Sequence, residues 1–429
     1  MAQEPITNQL IEEVLKILGV EYTFSGLDHL PCLIDTRRRA NSAEPSASHE
    51  GTIFFDDFLP VDESVLALQG RPAAKPDFYS EPVLSIRARR LFEAIRESFH
   101  AKGLPLVTKG FWPLGAPACL VLTHDVDWFS YSPFHRAAIR GESSSKYLKS
   151  VLRYCIGRRY GYNIPSTLRV EADFGVKSTF LYRNSYASNQ QMLLPAIRLC
   201  QESGCEVALH ATKKSRKLRD VMANEKSTME RICGGHISGL REHALKFEYD
   251  KTWDCIEYAD FEYDMTMGDN ERVGFIGGFC HPFHPLSPNG EVYSLIEIPT
   301  SFMDWSAIHA GIRNERLGTV IQQLITSVAE LGGVLCVNFH NTYLDSWLFP
   351  DIEREYRALI SECKSAGFWV ATAEQCAEWW VKREEAVLGA RFEGESLRLD
   401  RLDSSLAPVV HWPYGKVELL NETQKVLGG

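Results

Sequence analysis

Four times along the middle of this chain, a short apolar run ends on polar or ionisable residues. The runs are ACLVLTHDVD, ending at Asp127, KSTFLYRNS, ending at Ser185, CEVALHATKKS, ending at Ser215, and GVLCVNFHNTYLD, ending at Asp345. Stretches with helical periodicity lie between or beyond them, at 192–203, 316–331 and 351–366. Apolar strands alternating with helices predict parallel strands buried on both faces. In barrels built this way, active groups sit where the strands end. Here those ends carry Asp125 and Asp127, His210, and His340.

The flanks follow other patterns. VEYTFSG, PCLIDTR and TIFFDDFLP read as short strands, with the small polar stretch ANSAEPSASHE as a loop among them. Residues 85–101 place Ile86, Leu91, Phe92, Ile95 and Phe99 on one side of a helix. The tail holds RFEGESLRLD and HWPYGKVELL, which read as two or three short strands. The expected organisation is an α/β protein in three parts. Residues 1–115 form a small α+β unit, 116–383 a (β/α) barrel and 384–429 a β appendage.

Composition narrows the function classes. A chain of 429 residues predicts two or three units. Hydrophobic content of 45% and charged content of 24% are those of a globular enzyme. A net charge of −10 argues against broad affinity for nucleic acid or anionic lipid. Lys213, Lys214, Arg216, Lys217 and Arg219 form one basic cluster, which reads first as a solvated helix face and second as a site for an anionic group. No integral membrane segment is visible. The opening MAQEPITNQLIEEVLKILGV has acids where an export signal carries bases, and it reads as an amphipathic helix. The eleven cysteines are dispersed, with no CxxC pair. Reduced, buried thiols and a cytoplasmic location are the expectation. Whether the chain forms a homo-oligomer is open.

The strand-end residues suggest chemistry. In an extended strand, residues i and i+2 face one side, so Asp125 and Asp127 project together. Two neighbouring carboxylates repel unless a cation lies between them or one holds a proton. His210 and His340, at two other strand ends, supply the residue types that hold Zn²⁺ or a similar divalent ion. Such an ion polarises a carbonyl, and His340 can protonate a leaving amine.

In order along the chain, LTHDVD, KSTFLY, EVALHATKKS, GLREH, EIPTSFMDW and VNFHNTY resemble the polysaccharide deacetylases, carbohydrate esterase family 4. The resemblance spans 116–383. It implies a distorted, incomplete (β/α)7 barrel that removes acetyl groups from N-acetylated sugars, or hydrolyses related amides, with a divalent metal. By this resemblance Asp125 is the catalytic base, Asp127 and His210 are metal ligands, and His340 is the general acid. Arg241 stands where the family's Arg holds the catalytic base. Asp304 and Trp305 resemble an Asp-Trp element that meets substrate.

One position departs from the family. Its second metal His lies four residues after the first, and here that residue is Lys214. His243, two residues after Arg241, is the favoured replacement, with Asp125 or water as the other way to complete the shell. CHPFHPL brings His281 and His284 into an aromatic loop that reads either as a wall of a substrate pocket or as a tucked-in structural loop. The expected substrate is a small molecule or glycan, with a nucleotide-linked or lipid-linked N-acetyl sugar of surface-polysaccharide biosynthesis favoured. Two other readings stay open: hydrolysis of a non-sugar C–N bond on the same scaffold, and a metal-free binding protein on a decayed barrel.

Overall fold

A computed structural model describes residues 81–127, 163–184 and 190–386, together with 4–18, 20, 33–35, 52–54, 66–70, 148–149, 151–152, 155, 389–393, 396–401, 406, 408–413, 415–419 and 426–428. The expected strand VEYTFSG, apart from Val20, and the expected loop 40–50 lie outside the described residues.

The centre is one parallel sheet of nine strands. They are β1 (Cys119–Val126), β2 (Thr179–Tyr182), β3 (Glu206–Ala211), β4 (Gly239–Glu242), β5 (Tyr263–Asp264), β6 (Ile296–Glu297), β7 (Thr300–Met303), β8 (Val334–Asn338) and β9 (Trp369–Ala371). Their order across the sheet is β7-β8-β1-β2-β3-β4-β5-β6, with β9 also on β1. β8 runs along one edge of β1, from Val334 opposite Cys119 to Asn338 opposite Thr123. The other edge is shared: β9 takes Cys119 to Val121, and β2 takes Thr123 to Val126. The two end strands, β6 and β7, are consecutive in sequence but no ladder joins them, so the barrel is curled and open. This is the distorted, incomplete (β/α) barrel that the sequence predicts.

All eight residues of β1 are buried, as a strand covered on both faces requires. The helices cover the sheet with one apolar stripe each. Helix α1 (Glu315–Leu331) buries Leu317, Ile321, Leu324, Ile325 and Val328. Helix α2 (Pro350–Ser365) buries Ile352, Tyr356, Leu359, Ile360 and Cys363. Helix α3 (Ala373–Glu385) starts on a capping box, in which Thr372 and Gln375 each satisfy the other's backbone N–H. At Gly239 a Cβ would come within 2.0 Å of the Tyr263 ring, so β4 and β5 meet where only glycine fits.

The described flanking segments form three small sheets of their own. Leu106–Thr108, Val409–His411 and Val417–Leu419 form an antiparallel sheet, so a strand before the barrel pairs with strands after it. Gly389–Glu393, Ser396–Arg401 and Val426–Gly428 form a second antiparallel sheet, and Leu33–Asp35 pairs parallel with Thr52–Phe54. Arg383, fully buried near the end of α3, donates to the carbonyls of Lys16, Ile17 and Gly110 and so ties the N-terminal helix Glu4–Leu18 to the barrel. Among the described residues no helix is long and apolar enough to cross a membrane, and no described cysteine is in a disulfide.

Candidate metal centre and its flanking acid and base

β1 ends with side chains alternating across the sheet. His124 turns to one face, where Glu171 and Tyr356 meet it in a buried network. Asp125 and Asp127 turn to the other. Asp125 is clamped at both oxygens. Arg241 Nη1 donates to Oδ1 at 2.9 Å, and Asn338 Nδ2 donates to Oδ2 at 2.7 Å. The Asp125 backbone N–H donates in turn to Asn338 Oδ1 at 3.2 Å. Arg241 is fully buried and is itself fixed by Thr123, Thr300 and the Met265 carbonyl. Burial alone would raise the Asp125 pKa, but neighbouring His210, Arg241 and His340 hold it below the usual carboxylate value. Removing one partner of a buried ion pair strands the other charge. Arg241→Met is therefore expected to cost about 3–5 kcal/mol, read as a lower midpoint in urea unfolding.

Asp127 is the meeting point of the histidines. Its Oδ1 lies 3.3 Å from His210 Nε2 and 3.6 Å from His243 Nε2. Its Oδ2 lies 3.7 Å from His340 Nε2. Burial pushes the Asp127 pKa up, and His210, His340 and His243 bring it well below the ordinary range. One ligand atom from each of Asp127, His210 and His243 falls within 4.8 Å of the others. Two ligands at zinc's usual ~2.0–2.1 Å, spread tetrahedrally, stand about 3.3–3.4 Å apart. The Asp127–His210 separation of 3.3 Å matches that span and the Asp127–His243 separation of 3.6 Å is close to it.

The protonation states suit a cation. His210 Nδ1 lies 3.1 Å from the Arg241 carbonyl, which only accepts, so this nitrogen carries the proton and Nε2 presents its lone pair. Burial brings the His243 pKa down to about 4, so its ring is neutral at pH 7. Asp127 Oδ1 and His210 Nε2, which face each other at 3.3 Å, are both buried without a hydrogen-bond partner. Two orphaned polar atoms turned to one point are costly unless something fills it. A divalent ion held by Asp127, His210 and His243 fits.

His243 reaches this point through a bend. It begins a short 3-10 turn directly after β4, and Ala244 and Leu245 then take φ of +60° and +50°. Left-handed backbone in residues with a Cβ costs on the order of 1–2 kcal/mol each. The chain is bent sharply just past the candidate ligand, and such strain clusters at functional sites.

On the far side of Asp127, His340 follows the end of β8. Its Nδ1 is 2.6 Å from Asp304 Oδ1, and its backbone N–H donates to Asp304 Oδ2 at 2.7 Å. Burial lowers the His340 pKa, but Asp304, and after it Asp127 and Asp125, raise it to about 9. His340 is thus a cation at neutral pH. A rate that depends on this proton is expected to fall as pH rises through the region of 9. Asp304→Asn should move that alkaline limb down towards ~6.5, the value of an unperturbed His. A pH–rate profile of the two proteins checks this.

Other expected site residues lie elsewhere or face another way. Asp304 is fully buried and turned to His340, so it braces that ring and does not face a substrate. Trp305 is 40% exposed beside Tyr343. His281 bonds Ser85 and the Leu331 carbonyl and packs on Phe111 and Trp380. Cys280, next to it, accepts the backbone N–H of Val334, the first residue of β8. His281 therefore sits at the opposite end of the sheet from His340. His284 bonds the Tyr293 and Leu295 carbonyls and Glu384, again at the ends where strands begin. The CHPFHPL loop is a plug under the barrel, with Phe283 and the preceding Phe279 fully buried, and not a wall of a pocket at this rim. The sequence reading passed over two residues at the rim, Asn338 and Arg183. Asn338 stands two before His340, and alternation alone places both on one face of β8. Arg183 directly follows β2, at a strand end like the others.

No family model matches the sequence, and no curated protein matches it. Solved structures are similar at low identity. A candidate polysaccharide deacetylase from Mycobacterium smegmatis is 21% identical, covering 66% of this chain and 97% of its own, with a TM-score of 0.45. The PuuE allantoinase is 14% identical, over 63% of this chain and 93% of its own, at 0.47. A CE4 family pseudoenzyme from Bacillus anthracis is 12% identical, over 61% and 69%, at 0.35. These are likenesses of chain path at low scores, and no activity is carried across on them.

Proposed function

We propose that this chain is a divalent-metal-dependent amide hydrolase that removes an acetyl or similar acyl group from an N-acetylated sugar or sugar conjugate, in the making of surface polysaccharide. What supports the reading most is one arrangement. A clamped carboxylate and a protonated histidine flank an Asp-His-His group in which Asp127 Oδ1 and His210 Nε2 face each other, buried and unsatisfied. The motif order in the sequence supports the sugar substrate, and zinc is the proposed ion.

When bound by Asp127, His210 and His243, such an ion supplies Lewis-acid polarisation of the substrate carbonyl and acidifies water. The chain's own groups do the rest. Asp125, ionised and held at both oxygens, takes a proton from the attacking water. Arg241 and Asn338 keep it from turning away as it does so. His340, charged because Asp304 braces Nδ1, has Nε2 on the side of Asp127 and gives its proton to the leaving amine. Trp305, partly exposed one residue after Asp304, offers a ring face for a sugar.

The test is acetate release by zinc-loaded protein from a panel of N-acetyl sugars, nucleotide-linked N-acetyl sugars and non-sugar amides. Release from the sugars alone is the expected result. Turnover of only the non-sugar amides would replace the substrate class and keep the chemistry. Zinc binding with no turnover of any of them would remove the hydrolase reading.

A further inference from the structure

Arg183 directly follows β2. Tyr182 pairs with Val126, so the arginine stands level with Asp127. Its Nη1 lies 3.7 Å from Asp127 Oδ1, and its Nε is buried without a hydrogen-bond partner. Among the described residues nothing else meets its side chain in a hydrogen bond or ion pair. Asp127 Oδ1 is also the atom that faces His210 and His243. A cation held by those three groups takes up the charge of that oxygen. The guanidinium is then left largely buried, beside a dication, with no counter-ion.

A second observation lies on the same rim. The loop that leaves β3, two residues beyond Ala211, carries Lys213 and Lys214, both exposed. Further on, Arg216 and Lys217 pair with Glu248, and Arg219 with Asp254. No ion pair reaches Lys213 or Lys214 among the described residues. The basic cluster thus divides into a neutralised part and an unneutralised part. The unneutralised part adjoins His210, on a chain whose net charge is −10. Three cations on one rim, two of them unpaired and the third sharing Asp127 with the metal point, make a local field for an anion.

We propose that the substrate carries an anionic group, a carboxylate or a phosphate, close to its acylated amine, and that Arg183 binds it with Lys213 and Lys214 at the outer edge. This rests on the deacylase reading of the site. The planar guanidinium offers paired N–H donors that match either oxyanion, and a charged acceptor would satisfy the orphaned Nε. Such an anion also separates two positive charges that otherwise repel. Arg183 is then a specificity-determining residue, and the anion is what allows arginine and metal ion to share Asp127.

The test uses full-length, zinc-loaded protein and three ligands on one sugar ring, titrated calorimetrically. They are N-acetylglucosamine, N-acetylglucosamine 1-phosphate and N-acetylmuramic acid, with acetate release measured on the same samples. At least one anionic sugar is expected to bind about ten- to a hundredfold tighter than the neutral one, the worth of a hydrogen bond to a charged group. Whichever anionic sugar shows the preference names the oxyanion. Arg183→Met should erase the preference while leaving the neutral sugar's Kd unchanged, and Arg183→Lys should keep part of it. Lys213→Ser/Lys214→Ser should lower the preference and its salt dependence. Equal binding of neutral and anionic sugars, or a preference that survives Arg183→Met, overturns the proposal. Acetate released equally from all three would leave the deacetylase reading standing without it. Arg183-dependent binding with no acetate released would leave the anion site standing and remove the deacetylase reading.

Discussion

Asp125→Asn is expected to bring turnover to background while the protein still binds its metal ion. The loss should reach or exceed the ~10²–10⁴-fold that a general base contributes. The substitution keeps the size of the side chain and leaves Asp127, His210 and His243 as they are. It also has a structural cost that can be separated from the chemical one. If the new amide oxygen accepts from Arg241, its NH2 faces the NH2 of Asn338, and a donor meets a donor. Asn338 cannot turn over freely, because its Oδ1 already accepts the backbone N–H of residue 125. A loss of about 1–3 kcal/mol follows from the unsatisfied pair. The double variant Asp125→Asn/Asn338→Asp restores an acceptor on the β8 side and should recover most of that stability. It should not recover turnover, since the carboxylate is then on the wrong strand. Activity measured beside Tm and zinc content checks all three statements. Near-normal turnover in Asp125→Asn would remove the residue from the mechanism.

His340→Ala should slow the reaction by roughly 10²–10⁴-fold on substrates with poor leaving amines. The effect should shrink on an anilide, whose amine leaves without as much help. That contrast identifies a proton donor and not merely a packed ring. His340 also affects stability through Asp304. Its folded pKa, about 9, is above the unfolded value, so the pair's stabilisation is fully present below ~6.5. It is lost as pH rises through 9. Unfolding midpoints of His340→Ala and the parent should therefore converge at high pH. An equal gap at pH 6 and pH 10 would contradict the assignment of the proton.

Much of this site was legible in the sequence because parallel strands constrain their ends. A two-residue alternation puts Asp125 and Asp127 together and sends His124 away, and it places Arg241 and His243 on a common side. Of the central strands that were not read, Tyr263–Asp264 and Ile296–Glu297 are two residues long each and Trp369–Ala371 three. No periodicity can appear over such a length. CHPFHPL could be read two ways for a different reason. Histidine and aromatic residues look the same in sequence whether they line a pocket or plug the foot of a barrel, and only burial separates the two. Asp304 was placed on the substrate when it serves His340. Its partner is 36 residues away, and that contact exists only because β7 and β8 lie side by side. Asn338 carried a readable signal, its spacing from His340, but a buried amide does not stand out as a base or ligand does. Lys214 stands where the resemblance implies a ligand, and His243, held just before a strained turn, lies beside Asp127 instead.

The account depends on Asp127, His210 and His243 holding one ion. The most direct measurement is a calorimetric titration of metal-stripped protein with Zn²⁺, run on the parent, on His243→Ala and on the paired control His281→Ala/His284→Ala. The prediction is one zinc per chain. His243→Ala should weaken it by at least the 10–100-fold that loss of a merely supporting residue costs, and the control should bind as the parent does. A parent that takes up no zinc, or a His243→Ala protein that binds it as tightly as the parent, would contradict the account.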